Sequence, residues 1–456
     1  MGQDEDQVIA AAVATLAGQD ARVADDAEAA LDWIVGEQGL ALVTQERVQN
    51  FCWYELPLEW TIEPQAKPQV AEALARALDL LELRRYAGIC RSSVTREILA
   101  AYEASAEHGR AAFRRAAAAS GIIPPDLPDF EWGAAMGFLE ASAWSRTAGL
   151  LELAVASREM VPGARGWRTR QEQLVRTYLG SPQAELLGQF PAQVILTERT
   201  EFWVDIRRSP SRRRMLAGLA NRLLHPAQLP AQAATNPLPQ LRWLLEQWND
   251  GISITRTGNL NQKFVQQSAD RFGWDLPRPP RTEGDLYDLY QLRQLVQRLR
   301  LSRRSGRMLT LTSPGRRLLA EPERLWRLTA AGLIEGNDFS VFTAELFLAQ
   351  LLDGEPVPFG EIKATVGKAV DEEGFRENRT GEPPGDHDIT WAIHRTSDLC
   401  RALGLLAGGG DCGDRSYSLT GTGKVTALEA LRARATAPRA TGRNGYLPPL
   451  FIKTVC

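Results

Sequence analysis

Between Pro239 and Trp248 the apolar residues Leu241, Leu244, Leu245 and Trp248 recur at spacings of three and four, which predicts one amphipathic helix. Asn249-Asp250-Gly251 ends it, glycine being the residue that accepts a left-handed cap. Ile252 and Ile254 then alternate with polar neighbours, as in one short strand. Phe264, Val265 and Phe272 fit a second helix, and Pro277, Pro279 and Pro280 interrupt the chain. Leu286, Leu289, Leu292, Val296 and Leu299 lay an apolar stripe along a third helix. Ser305-Gly306 reads as the turn of a hairpin between Leu299-Arg300-Leu301 and Met308-Leu309-Thr310-Leu311. Three helices closed by a hairpin are the winged-helix layout.

The same order and spacing recur elsewhere. Leu31-Asp32-Trp33 leads to Leu81-Glu82-Leu83-Arg84-Arg85, as Leu245-Glu246-Gln247-Trp248 leads to Leu299-Arg300-Leu301-Ser302-Arg303-Arg304; a tryptophan precedes the Leu-x-Leu by about 50 residues in both. A hairpin is therefore expected after Leu81 as well. A third unit is predicted from helices over Phe342–Leu352, Pro358–Val370 and Ile389–Leu403, with a wing from Leu405 to Leu419 and its tip at Gly408-Gly409-Gly410. A smaller motif links the units. Leu311-Thr312-Ser313-Pro314-Gly315-Arg316 and Leu419-Thr420-Gly421-Thr422-Gly423-Lys424 each read as a strand end, a Thr cap and a glycine in the first helical turn. Ile254-Thr255-Arg256-Thr257-Gly258-Asn259 has the same shape.

The expected organisation is an acidic N-terminal helix (1–27), a degenerate winged-helix-like repeat (28–118), a helical middle region (119–237), a clear repeat (238–330), a third unit (335–435) and a flexible tail (436–456). The fold class is mainly α: tandem winged-helix repeats, helix-turn-helix plus β-hairpin, joined by a helical middle region.

Residues 238–330, with Ile254-Thr255-Arg256-Thr257-Gly258-Asn259-Leu260 and Leu311-Thr312-Ser313-Pro314-Gly315-Arg316-Arg317-Leu318-Leu319, resemble a family of uncharacterised actinobacterial proteins with a T-G-N-L turn and an L-T-x-x-G-R wing motif. The first repeat departs from that pattern: Thr44-Gln45-Glu46-Arg47 lacks the Gly-Asn, and Ser93-Val94-Thr95-Arg96 lacks the glycine. The resemblance implies a fold and supplies no catalytic residues.

Composition narrows the class. A chain of 456 residues, 44% hydrophobic and 24% charged, suits about three globular domains. No apolar run approaches the roughly 18–20 residues of a membrane span, so no membrane partner is expected. The start is acidic (Asp4, Glu5, Asp6), unlike a signal peptide. Five scattered cysteines, an odd number, fit a reducing cytoplasm. The net charge of −3 hides an asymmetry: residues 1–60 carry 12 acids and 2 bases, whereas residues 201–330 carry 22 bases and 11 acids. Such asymmetry marks a nucleic-acid-facing segment, or one half of the molecule docking on the other.

Two basic clusters are the candidate sites. Arg293, Gln297 and Arg300 fall away from the apolar stripe of the third helix, and Arg303, Arg304 and Arg307 flank the hairpin tip. In a DNA-binding winged helix, Arg and Gln on this helix can read base edges while wing arginines hold phosphates. Arg207 and Arg208, with Arg212, Arg213 and Arg214 beside Phe202 and Trp203, form a second cluster, either for phosphate or for pairing with acidic neighbours.

Other chemistry is not supported. His387, His394, Cys400 and Cys412, near Asp386 and Asp388, lack the paired spacing of a structural zinc site, so no metal is expected. Gly421-Thr422-Gly423-Lys424 has Ser418 where a phosphate loop needs its first glycine and Val425 where it needs Ser or Thr, so no cofactor is expected either. There is no Gly-x-Ser-x-Gly, and the four histidines, His108 and His225 included, have no serine or cysteine partner in sequence. Cys456, the last residue, is not a prenylation box. The function read from this pattern is a non-enzymatic winged-helix protein that binds double-stranded DNA, as a regulator would. The alternative is a protein–protein interaction scaffold that uses the repeats and the tail with its apolar Leu450-Phe451-Ile452.

Overall fold

The computed structural model describes residues 3–36, 39–40, 43–274, 278–377, 381–407 and 416–439. The chain is mainly helical and divides into two units, Met1–Ile195 with the stretch from Pro438 onward, and Leu196–Ala437.

The first unit begins with α1 (Gln3–Ala17) and α2 (Ala21–Val35). The single helix expected over 1–27 is therefore two. Asp20 breaks it: its carboxylate accepts the N–H groups of Arg22 and Val23 at 3.0 and 3.4 Å and so caps α2. α3 (Gln45–Asn50) runs through one π turn, Phe51–Glu55, into α4 (Leu56–Leu58). Then come α5 (Lys67–Leu80), α6 (Arg84–Cys90), α7 (Ser93–Ala104), α8 (Ala106–Ser120), α9 (Phe138–Ala156) and α10 (Trp167–Leu179). One core gathers Val48, Phe51, Leu56, Leu74 and Leu78, and another gathers Trp132, Trp144, Leu151 and Val175. Each fully buried side chain of this kind is worth about 1.5–3 kcal/mol of transfer free energy.

The boundary between the units falls within α11 (Pro191–Asp205), inside the expected middle region. The second unit continues with α12 (Pro210–Ala217), α13 (Ala220–Leu223), α14 (Pro239–Asn249), β1 (Ile252–Ser253), α15 (Gln262–Phe272), α16 (Tyr287–Arg298), β2 (Ser302–Ser305), β3 (Met308–Leu311), α17 (Ser313–Leu319) and α18 (Pro322–Ala331). It ends with α19 (Asp338–Gln350), β4 (Val357–Pro358), α20 (Phe359–Glu373), α21 (Asp386–Ala402), β5 (Leu406–Ala407), β6 (Ser416–Leu419) and α22 (Gly421–Ala435). The order helix, strand, helix, helix, hairpin thus occurs twice. The two small antiparallel sheets have matching strand orders, β1-β3-β2 and β4-β6-β5. One continuous core serves both halves; Trp248 and Trp326 are fully buried, and the Trp326 indole donates to Thr426 Oγ1 at 2.9 Å.

The Leu-x-Leu sequences are helix ends. Arg300 and Gly404 both take left-handed backbone, φ 55° and 70°, just after α16 and α21. Leu301 N–H then donates to Val296 O at 3.0 Å, and Leu405 N–H to Cys400 O at 2.8 Å, which satisfies the last helical carbonyls. At the far side of each hairpin Thr312 and Thr420 donate their N–H to Leu301 O and Leu405 O, both at 2.9 Å. Their hydroxyls accept from Gly315 and Gly423 at 3.1 and 2.9 Å. A Cβ on either glycine would run into those same leucine carbonyl oxygens, so glycine is required there.

The first unit keeps this helix end but not the hairpin. Glu82 is left-handed (φ 61°) and Leu83 N–H donates to Leu78 O at 2.8 Å. The hairpin expected next is absent among the described residues, and α6 occupies its place. Ala87 and Cys90 are buried at a spacing of three, a helical period, where a strand would need two. Ser92 caps α7 by accepting from Thr95 N–H at 3.1 Å. Thr95 stands where the glycine stands in the other two segments; with a helix rather than a strand before it, its hydroxyl donates to Ile89 O at 2.7 Å and accepts the Trp53 indole at 2.8 Å.

Thr257-Gly258 also differ from the expectation, for they do not cap a helix. Gly258 (φ 88°) closes a tight turn in which Gly258 N–H donates to Thr255 O at 2.9 Å and Thr255 N–H to Asn259 O at 2.8 Å. Asn261 is the cap of α15, accepting from Phe264 N–H at 2.9 Å. The wing tip Gly408-Gly409-Gly410, Cys412, and the tail from residue 440 with Leu450, Phe451, Ile452 and Cys456 lie outside the described residues.

Candidate nucleic-acid interface

The third helix of the 238–330 segment, α16, turns its apolar stripe Leu289, Leu292, Leu295 and Val296 into the core. One of its arginines also turns inward. Arg293 pairs with Glu283, which is itself buried, and donates to Gly258 O at 2.6 Å. Glu283 in turn accepts Leu260 N–H at 3.2 Å. Arg293 therefore ties α16 to the T-G-N-L turn and is not presented as a base reader, contrary to the expectation from its position. Arg298 lies 3.7 Å from Glu335, and burial lowers its guanidinium pKa.

The face opposite the stripe is open. Tyr287, Tyr290, Gln294 and Gln297 succeed one another at spacings of three, four and three. Tyr287 and Tyr290 are 47% and 41% exposed, with rings stacked 6.1 Å apart. Gln297 is exposed and Gln294 half-buried. Of these four only Gln297 stands out in the sequence. The signal that identifies the others is their period, which is the apolar stripe's own period displaced to the opposite face.

Beyond the helix end comes the hairpin. Arg300, Arg303, Arg304 and Arg307 are all exposed and make no ion pair among the described residues. Arg304 Nε donates to Gly306 O at 3.0 Å across the hairpin turn, and its guanidinium lies against Gly258. Arg307 O accepts Ile254 N–H at 2.9 Å, which fixes the hairpin to the strand edge through backbone and leaves the side chain outward. Of the residues expected here, the fold leaves Gln297, Arg300, Arg303, Arg304 and Arg307 exposed and withdraws Arg293. The segment 238–330 carries 16 bases against 9 acids.

The corresponding face of the next segment is differently used. Counted back from Leu403, Asp398 and Arg401 of α21 match Gln294 and Gln297 of α16. Arg401 pairs with Asp398 at 2.9 Å and with Asp288 of α16 at 3.1 Å, so this part of α21 packs on α16. Burial raises the Asp288 carboxyl pKa, and the Arg401 charge opposes the rise. Residues 335–435 carry 17 acids against 10 bases.

The second basic cluster is not one surface. Arg212 is 1% exposed and donates twice to one oxygen of Glu345, Oε2, at 3.0 Å from Nε and 2.9 Å from Nη2. Its Nη1 donates to the carbonyls of Trp203 and Val204 at 3.1 and 3.2 Å, and its guanidinium sits 5.1 Å from the Trp203 ring centre. A group this enclosed cannot reach a phosphate. Arg213 pairs with Asp205 at 3.1 Å, and Arg207 lies near Asp338 and Glu373. Arg214 is exposed and bonds only weakly to Pro210 O, at 3.4 Å. Ser209 and Ser211 hydroxyls donate to Glu372 at 2.7 and 2.8 Å. Asp205 is a local partner, but the other acids that answer this cluster come from 338–373, which no local reading of the sequence could have indicated.

His394 stacks on Phe359 at 5.1 Å, and Cys400 is buried, which pushes its thiol up to about 12. Among the described residues no group of three or more His, Cys, Asp or Glu is placed to hold a metal ion, and no helix is long and apolar enough to cross a membrane.

Residues 240–324, from the first turn of α14 to the first turn of α18, match the family described as the Y4jL N-terminal domain. No curated protein sequence and no solved structure matches the chain.

Proposed function

We propose that the protein is a non-enzymatic DNA-binding protein whose 238–330 and 335–435 segments are winged-helix units, and that the first of them holds the duplex. One observation carries this reading: Arg300, Arg303, Arg304 and Arg307 stand exposed and without acidic partners at the end of a helix whose outer face is also open. Arg212, Arg293, Arg327 and Arg401 of the same unit meet carboxylates; these four, like the exposed Arg256, Arg271, Arg316 and Arg317 of the same segment, make no ion pair among the described residues. In this reading α16 enters the major groove and the wing arginines hold flanking phosphates. The matching sheet orders and helix ends support the winged-helix assignment. The helix end, Ser92 cap and Thr95 position support reading 28–118 as a copy whose wing has become a helix.

Titrating the full chain with mixed-sequence duplex DNA at several salt concentrations tests this. Steep loss of affinity with rising salt is expected, since each neutralised phosphate releases counterions. Absence of binding at low salt would overturn the reading. A second reading, an interaction scaffold, is favoured by the α16–α21 packing, in which the equivalent face of α21 contacts protein. A stoichiometric protein partner that the wing arginines do not affect would select it.

A further inference from the structure

We infer that Gln294 and Gln297 are base-reading residues and that the site they read contains adenine. This rests on the DNA-binding reading above and specifies its ligand. The side chains left free on the open face narrow the choice. A helix in the major groove reads guanine chiefly through arginine and adenine through glutamine or asparagine, each by paired hydrogen bonds to one base edge. Of the arginines within α16, Arg293 is committed to Glu283 and Gly258 O, and Arg298, exposed in the last turn, leans toward Glu335 at 3.7 Å. Ahead of Arg298 the open stripe carries no arginine: it offers Tyr287, Tyr290, Gln291, Gln294 and Gln297.

Neither glutamine amide has a hydrogen-bond partner within the protein among the described residues, so both can turn to a ligand. A glutamine amide donates to adenine N7 and accepts from adenine N6, a match that guanine, with two acceptors, cannot repeat. Gln294 and Gln297 lie one turn apart, about 4.5 Å along the axis at three residues, a reach suited to neighbouring base pairs. The exposed ring edges of Tyr287 and Tyr290 suit the thymine methyls that an A·T-containing site presents beside the adenine. Arg300 is set apart from these readers. It stands past the helix end on left-handed backbone, and with the wing it serves the phosphates.

The second unit presents one such reading face and not two. At the matching positions α21 has Asp398 and Arg401, paired with each other and with Asp288. The preferred site is therefore a single half-site per chain.

Selection from a randomised duplex library, followed by direct titration, tests the inference. The wild-type chain should enrich one short motif with adenine at fixed positions. Replacing those adenines with 7-deazaadenine, which lacks N7, should weaken binding about tenfold or more per contacted base. Gln294→Ala with Gln297→Ala should abolish this preference and bring affinity for the motif down to the level for mixed sequence; Gln297 is exposed and Gln294 half-buried, and circular dichroism checks that the fold is retained. Equal binding to all sequences, with no effect of 7-deazaadenine, would overturn the inference and leave DNA binding intact. A motif centred on guanine would do the same. Failure to bind any duplex at low salt would overturn both.

Discussion

Two N–H groups of the Arg212 guanidinium converge on one oxygen of the Glu345 carboxylate inside the second unit, 133 residues apart in sequence. Glu345 also accepts the Trp203 indole at 3.0 Å, so one carboxylate organises α11, α12 and α19. Arg212→Ala would leave that buried carboxylate with only the longer contact to Arg434, at 3.7 Å. A loss of about 3–5 kcal/mol in unfolding free energy is expected, measured by denaturant titration. Duplex affinity of the variant that remains folded should match wild type, because Arg212 cannot reach solvent. A stable variant with weakened DNA binding would reverse its assignment.

The glycines at the hairpin-to-helix junctions give a second test. Gly315→Ala and Gly423→Ala each set a methyl against a leucine carbonyl, and destabilisation of about 1–3 kcal/mol or more is expected for each. Gly421→Ala, where nothing approaches within 4 Å, should have little effect and serves as the control. Equal melting temperatures across the three would contradict the junction geometry.

Arg300 carries opposing effects on stability and binding. Its φ of 55° strains any residue but glycine, so Arg300→Gly should stabilise the fold by about 1 kcal/mol. The same change removes a wing-side cation and should weaken duplex binding. Parallel thermal melts and DNA titrations would show the two effects moving in opposite directions; a destabilised variant would contradict the left-handed conformation.

In the first unit the Glu46 carboxyl titrates abnormally. Burial raises its pKa from the ordinary value of 4.5, the Trp144 indole hydrogen bond opposes that rise, and the neighbouring Glu152 charge adds to it. Protonated Glu46 is thus favoured by folding. Its contribution is present below the ordinary value and is lost as pH rises through the folded-state value. Glu46→Gln should therefore gain stability relative to wild type as pH rises from about 4 toward neutrality. A difference that is flat with pH, or that moves the other way, would contradict the raised pKa.

Much of the second unit was legible because its periods are unambiguous. Leu289, Leu292 and Val296 announce a helix, and Leu309 and Leu311 announce a strand, each by burial of one face. The first unit departs from expectation after Leu83 because Leu-x-Leu marks a left-handed helix end in all three segments and leaves the next element open. Arg293 and Arg212 depart from it for a different reason. Their partners, Glu283 and Glu345, are chosen by tertiary packing, and an arginine run looks the same whether it is exposed or enclosed. Tyr287, Tyr290 and Gln294 were visible in principle, but a neutral stripe carries no charge signal to set it apart from an ordinary solvated face.

The most direct test is the salt dependence of duplex DNA affinity for the wild-type chain against a variant combining Arg303→Ala, Arg304→Ala and Arg307→Ala. These side chains are exposed, so folding should be preserved and can be checked by circular dichroism. The variant should bind more weakly, and the slope of log affinity against log salt should become shallower by about 0.9 for each phosphate no longer neutralised. A wild-type chain that binds no duplex at low salt, or a variant with wild-type affinity and slope, would contradict the assignment of this wing to DNA.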